Sequence, residues 1–182
     1  GDLRLLQDSL VSIGATRAAH GDVHEALRSV ETVGFHLARL DVRQNSAFHE
    51  RAIDQLLQEA GSGLRYSAMP EDARLAFLDA ELQGLRPFAG PAARLEGEAA
   101  AVVECHRALA AHLDAYGAEG IGALIVSMTR SASDLLAVYL LAREAGLLVR
   151  EAAGLRCRIP VVPLFETIED LQAAPAIVNA FL

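Results

Sequence analysis

Between Ala123 and Leu164 the chain reads ALIVSMTRSASDLLAVYLLAREAGLLVREAAGLRCRIPVVPL, and this stretch decides the fold class. Ala123 to Ser127 is a short apolar run that reads as a strand. Ser131 to Ala145 reads as a helix, with Gly146 as its stop. Ile159 to Leu164 is Val-rich and apolar on both faces, a further strand. Two strands joined through one helix form a βαβ unit, which makes them parallel. Strands apolar on both faces call for cover on both sides, as in an α/β barrel or a doubly wound sheet.

Upstream, the spacing of Leu3, Leu6, Leu10 and Ile13 predicts a helix over Leu3 to Ala19, and Val23, Ala26, Leu27 and Val30 a second over Asp22 to Val33. Phe35 to Val42 alternates after Gly34 and reads as a short buried strand, with Arg43 at its C-terminal end. Ser46 is placed to cap a helix reaching about Ala60, with Ile53, Leu56, Leu57 and Ala60 as its stripe. Pro70 suits the start of a helix to about Leu82. Pro91 is expected to open the longest helix, whose stripe runs through Leu95, Ala99, Val102, His106, Leu109, Leu113 and Tyr116. Downstream, Thr167 and Asp170 have capping-box spacing for a last helix that Pro175 is expected to interrupt. His36 on its strand and His106 on its helix read as core histidines.

The whole is α/β and helix-rich, with about three parallel strands. In such sheets ligands gather at the C-terminal strand ends. Here those ends are Arg43, the turn Ser127 to Arg130, and Phe165-Glu166. Each has an ordinary reading beside a functional one. Arg43 pairs with a neighbouring acid or clamps an anion. Glu166 is an acid favoured at a helix start, or a metal ligand or general base at a barrel mouth. Ser127 to Asp134 is a capped helix start or an anion site.

Composition narrows the classes. With 182 residues the chain is long enough for one good core, and 52% of it is hydrophobic but only 5% aromatic. No apolar run approaches the roughly 18 to 20 residues of a membrane span. The formal net charge of −8 gives no general attraction for nucleic acid or anionic lipid. Every basic residue is Arg, so any anion-binding cation here is a guanidinium, suited to bidentate contacts with phosphate or carboxylate. Cys105 and Cys157 have no metal-site spacing and read as reduced thiols of a cytoplasmic protein. The opening Gly1-Asp2-Leu3 already lies in helical pattern, the way an excised segment begins.

Read together, three segments carry a family resemblance. Gly34 to Gln44 (GFHLARLDVRQ) is similar to the phosphoenolpyruvate carboxylase pattern GxxLxxLDxRQ. Ile125 to Val138 resembles that family's ISMTxSxSDLLAV, and Pro163 to Leu171 resembles its PLFETIEDL. They stand in the family's order at matching intervals. The resemblance implies a single segment, 1–182, of a (β/α)8 TIM-type catalytic barrel. It implies an enzyme that carboxylates phosphoenolpyruvate with bicarbonate on Mg²⁺ or Mn²⁺, through carboxyphosphate and the enolate of pyruvate, to oxaloacetate and phosphate. It assigns Arg43 as a catalytic, substrate-binding arginine, Glu166 as a metal ligand and Leu164 as a wall of the apolar CO₂ pocket. It assigns Met128 and Thr129 nothing beyond shaping the mouth. The charge and the short apolar runs leave neither nucleic acid nor membrane as an expected partner, and a homo-oligomer is expected.

The departures matter as well. The family's histidine segment AHPT is absent, as are its glycine-rich GRGG and RGG segments and the second metal carboxylate. One arginine and one metal ligand cannot run the reaction. The chain is therefore expected to be an inactive fragment of the enzyme, the alternative being a non-catalytic α/β regulatory or scaffolding module that kept the fold. Another phosphoenolpyruvate-using barrel, such as a dikinase or a lyase, is disfavoured by the LDxRQ and SMTxSxSD segments.

Overall fold

A computed structural model describes all residues except Leu37, Pro91, Ala92 and Ala153. They fall into two compact units, Gly1–Arg39 and Leu40–Leu182.

The first unit is three helices, α1 (Asp2–Ser12), α2 (Thr16–His20) and α3 (Asp22–Val33). The helix expected to run unbroken from Leu3 to Ala19 is two. Gly14 sits at φ +77°, a left-handed conformation that stops α1 and that glycine adopts without steric cost. Gln7 ties α1 to the end of α2 by donating to the Ala19 carbonyl at 2.9 Å, and Arg4 ties it to α3 through Glu31 at 2.6 Å. Ala19 is the one buried residue among those described in this unit.

The second unit is built on a three-stranded parallel sheet in the order β1 (Leu40–Asn45), β2 (Ile121–Ser127), β5 (Val161–Leu164). The three expected strands are thus parallel neighbours. The register aligns Arg43, Ile125 and Val162 across the sheet, and Asn45, Ser127 and Leu164 one step later but one. Because side chains alternate, these six share one face, while Val42, Leu124 and Val161 with Gln44, Val126 and Pro163 share the other. The second face joins the core. Leu124 and Val126 are buried in one cluster with side chains of α4 (Ser46–Glu59), α5 (Glu71–Leu82), α6 (Gly97–Tyr116) and α7 (Ala132–Glu144). Cover on both sides was expected; among the described residues it lies on one, and Val162 on the opposite face is 42% exposed.

Other boundaries also move. The first strand lies five residues beyond the expected Phe35 start, so Arg43 is within it rather than after it. Phe35 is exposed, and His36 is half-buried in a bend instead of being a core residue; Leu37, within the expected strand, is outside the described residues. Asn45, not Ser46, caps α4, its side chain accepting from the Ala47 N–H at 2.9 Å. Ala60 and Tyr116, assigned to buried stripes, are exposed. The longest helix begins at Gly97; Pro91, expected to open it, is outside the described residues. The link between α7 and β5 is more than a turn. It contains an antiparallel hairpin, β3 (Leu148–Glu151) with β4 (Gly154–Cys157), that the sequence reading passed over.

Two expectations at the C-terminus part ways. The Thr167–Asp170 capping box forms in both directions, with N–H to side-chain oxygen distances of 3.0 and 3.2 Å. Pro175, however, does not interrupt α8, which runs from Ile168 to Phe181 through it. Proline removes one donor from the ladder, and here the helix continues around that gap.

Candidate active-site rim

The C-terminal ends of β1, β2 and β5 bring the three sequence-predicted segments together. Arg43 projects from β1 on the uncovered face of the sheet. Glu166 follows β5 by two residues, just ahead of the capped start of α8. The two form an ion pair through Arg43 Nη2 and Glu166 Oε1, with the arginine side chain 55% and the glutamate 30% exposed. An arginine at this strand was expected either to meet an acid or to clamp an anion, and in this state it meets an acid. Asp41, the nearer acid in sequence, is engaged elsewhere, accepting from the Ala123 N–H at 2.8 Å.

The second oxygen of Glu166 is held by the backbone. Met128 donates its N–H to Oε2 at 2.9 Å. Met128 follows β2 and has φ +56°, the one non-glycine residue at positive φ among those described. The turn is pinned by hydroxyls. Ser46 donates to the Met128 carbonyl at 2.9 Å, Ser127 to the Gln44 carbonyl at 3.1 Å, and Thr129 to the Val126 carbonyl at 2.7 Å. The Thr129 N–H reaches the Leu164 carbonyl at 3.3 Å. Leu164 itself, the last residue of β5, is half-buried on the same sheet face as Arg43.

Beside this turn, Arg130 reaches Glu50 at 2.8 Å, and Arg74 meets the same carboxylate oxygen at 2.8 Å. Asp134 folds back to accept from the Arg130 N–H at 2.8 Å. Burial pushes the Asp134 carboxyl above its ordinary pKa, and that hydrogen bond opposes the shift. The start of α7 is already occupied, since Glu71 accepts from both the Ser133 N–H and its hydroxyl, at 3.1 and 2.6 Å. The Arg130 and Ser133 donors of this segment are therefore already engaged by carboxylates.

For a divalent cation, Glu166 is a hard oxygen donor at an accessible rim, which fits one position in the shell of Mg²⁺ or Mn²⁺. Among the described residues no group of three or more His, Cys, Asp or Glu side chains converges to hold a metal. The residues present thus fit as one ligand, with the remaining positions left to water, substrate or other segments.

The family model described as phosphoenolpyruvate carboxylase matches residues 1–182. The chain belongs to the phosphoenolpyruvate carboxylase family. It is 45% identical over 181 residues to the phosphoenolpyruvate carboxylase of Rhodopseudomonas palustris (strain BisA53), covering 100% of this chain and 19% of that protein. It is 45% identical over 184 residues to that of Nocardia farcinica (strain IFM 10152), covering 96% of this chain and 20% of the relative. The enzyme of Rhodothermus marinus is 43% identical over 189 residues, again with 20% of its length covered. The chain therefore spans about a fifth of the length of the curated carboxylases it matches.

Within this segment of the family, sequence reasoning named Arg43 and Glu166 as candidates but not the contacts that hold them. Ser46 carried only a capping role in the sequence reading, and Met128 only a shape. No residue pattern announces that a methionine will adopt a left-handed backbone, so the Met128 N–H could not be read in advance.

Proposed function

We propose that this chain is a segment of the catalytic barrel domain of a phosphoenolpyruvate carboxylase, and that it supplies part of the active-site mouth. In this reading Arg43 binds anionic oxygens of phosphoenolpyruvate, Glu166 is an oxygen ligand of Mg²⁺ or Mn²⁺, and Leu164 lines an apolar wall for CO₂. The observation that carries it is the meeting of Arg43 and Glu166, 123 positions apart in sequence, at the C-terminal ends of parallel strands. Active-site residues of (β/α)8 barrels share that rim.

The roles follow from chemistry. A guanidinium presents paired donors in a plane and suits phosphate or carboxylate oxygens better than an ammonium does. A divalent cation, when bound, neutralises charge developing on an oxygen of the substrate. Glu166 would hold it through an oxygen that Arg43 or Met128 now occupies. An apolar wall at Leu164 keeps water from a neutral, reactive gas. Further arginines, the proton-handling histidine and a second metal carboxylate would come from other segments, so the isolated chain is read as inactive. The same reading takes phosphoenolpyruvate and bicarbonate as partners and the enzyme as a cytoplasmic homo-oligomer.

One observation favours the alternative, a non-catalytic module that kept the fold. Arg43 and Glu166 neutralise each other, as a purely structural ion pair would. The two readings separate in the full-length protein. Glu166→Gln keeps the shape but loses charge at a hard-cation ligand, and the Mg²⁺ concentration needed for oxaloacetate formation should rise sharply. Arg43→Lys should raise the KM for phosphoenolpyruvate despite keeping the charge. If both variants carboxylate normally at limiting Mg²⁺, the pair is structural. Oxaloacetate formed by the isolated 182-residue chain would overturn its reading as an inactive part.

A further inference from the structure

We infer that Ser46 is a positioning residue for Glu166, acting through the Met128 backbone. The inference rests on the proposed role of Glu166 as a metal ligand and names what aims that carboxylate. Three observations carry it. Ser46 is 1% exposed, yet its hydroxyl is spent on the Met128 carbonyl at 2.9 Å and not on capping its own helix, a task Asn45 performs. Met128 sits at φ +56°, a conformation that costs a residue with a Cβ on the order of 1 kcal/mol or more and persists only when its surroundings enforce it. The Met128 N–H, on the other side of the same Cα from that carbonyl, lands on Glu166 Oε2 at 2.9 Å.

The logic is one of leverage. With an ordinary extended backbone at Met128, its carbonyl could not meet Ser46 while its N–H meets Glu166. Thr129 and Ser127 fasten the two sides of the turn to neighbouring carbonyls, and Ser46 fastens the Met128–Thr129 peptide, which the Met128 φ and ψ join to the Ser127–Met128 peptide whose N–H meets Glu166. Since α4 follows directly on β1, Ser46 also ties the strand bearing Arg43 to the turn that holds Glu166. A carboxylate fixed through one oxygen by a rigid N–H keeps its other oxygen aimed at a constant point. Groups that orient a ligand in this way govern metal affinity although they never touch the ion.

The test uses the purified full-length carboxylase carrying this segment and reads Mn²⁺ binding directly, without substrate, by electron paramagnetic resonance of the free ion. Ser46→Ala should weaken Mn²⁺ binding by about tenfold or more, and Ser46→Thr, which keeps the hydroxyl, should restore most of it. Met128→Gly keeps the N–H and accepts positive φ freely, so Mn²⁺ affinity should stay within about twofold. Met128→Val places a β-branched residue where φ is positive and should lose affinity as Ser46→Ala does. A Ser46→Ala protein with a lowered Tm but unchanged Mn²⁺ affinity overturns the inference, because a merely structural hydroxyl would behave that way. Loss of affinity in Met128→Gly overturns it too, since the methionine side chain would then be what matters. Glu166→Gln separates the two layers. If it weakens Mn²⁺ binding while Ser46→Ala does not, the positioning role alone fails; if it leaves binding unchanged, the ligand role fails and takes the positioning role with it.

Discussion

His49 on α4 and His106 on α6 meet edge to face inside the helix packing, with ring centroids 6.4 Å apart. Both are buried, and His106 Nδ1 lies 2.8 Å from the Val102 carbonyl. Among the described residues His49 Nδ1 and His106 Nε2 have no hydrogen-bond partner. Burial holds both rings neutral. It lowers the His49 pKa to about 3, with the neighbouring His106 as a smaller cause, and it lowers that of His106 as well.

A pH dependence follows with a definite sign. In the unfolded chain both imidazoles gain a proton near pH 6.5, while in the folded chain they stay neutral well below that. The His49 contribution is therefore complete above about pH 6.5 and is lost as pH falls toward its folded value of about 3, by about 1.4 kcal/mol per pH unit, and His106 acts in the same direction. Urea denaturation between pH 7 and pH 5 reads this slope directly. His106→Leu should make it shallower, and a slope unchanged by that substitution would place the proton uptake on other groups.

Arg143 on α7 predicts a large loss of stability on truncation. Its side chain is 2% exposed, pairs with the equally buried Glu144 at 3.1 Å, and donates to the Glu81 carbonyl at 2.7 Å. Its guanidinium also lies 4.5 Å from the centroid of the Phe88 ring. Glu144 in turn accepts from the Phe88 and Ala89 N–H groups, at 3.0 and 3.3 Å. Arg143→Met leaves that carboxylate buried beside an apolar stem and should cost about 3–5 kcal/mol, read as a fall in the urea midpoint.

Gly122→Ala tests the β1–β2 seam. A Cβ at this position would come within 2.0 Å of Asp41 Oδ1, the atom that accepts from the Ala123 N–H. The register shifts between Leu40 and Val42, beside this contact, and the aspartate side chain stands in for the missing regularity. Displacing it should cost about 0.5–1.5 kcal/mol, the net worth of one hydrogen bond whose donor water can reach. Hydrogen exchange should show faster exchange at the Ala123 amide, with little change along β5.

Self-association of the isolated chain is the fourth expectation. Among the described residues, β1 and β5 each pair only with β2, so each leaves one edge of backbone donors and acceptors without a strand. Val162 on the open face and Ile168 and Leu171 on α8 are exposed apolar side chains in the same unit. Exposed edges and apolar surface both drive association. Light scattering across a concentration series should show it, and a compact monomer at all concentrations would refute it.

The sequence made some elements legible because the signal was local. The Thr167–Asp170 box, the Gly146 stop and the apolar strands β2 and β5 each depend on neighbours a few positions away. The start of β1 was not legible for a physical reason. Its face toward the core carries Val42 and Gln44, while the other carries Asp41, Arg43 and Asn45, so no apolar alternation marks it. The hairpin of β3 and β4 escaped because Arg150, Glu151 and Arg156 dilute its apolar residues. His49 could have been found, since it stands one turn before Ala52 and Ile53 on the stripe that continues to Leu56 and Leu57. Of the candidate site, the side chains were readable, but the Met128 conformation joining them depends on contacts with residues far away in sequence.

The distance in sequence between Arg43 and Glu166 also bears on how the molecule comes into being. The two are 123 residues apart, and β2, which lies between their strands in space, lies between them in the chain as well. No early, local nucleus of folding can contain this rim. During synthesis the helices α4 to α7 emerge and can begin to pack before β5 has left the ribosome, while β1 waits with an unpaired edge. Closing such a long loop is slow compared with forming a helix. Within this segment the rim is therefore acquired after the helices, and an interruption of translation before Glu166 leaves a helical, apolar body without the carboxylate that its arginine meets.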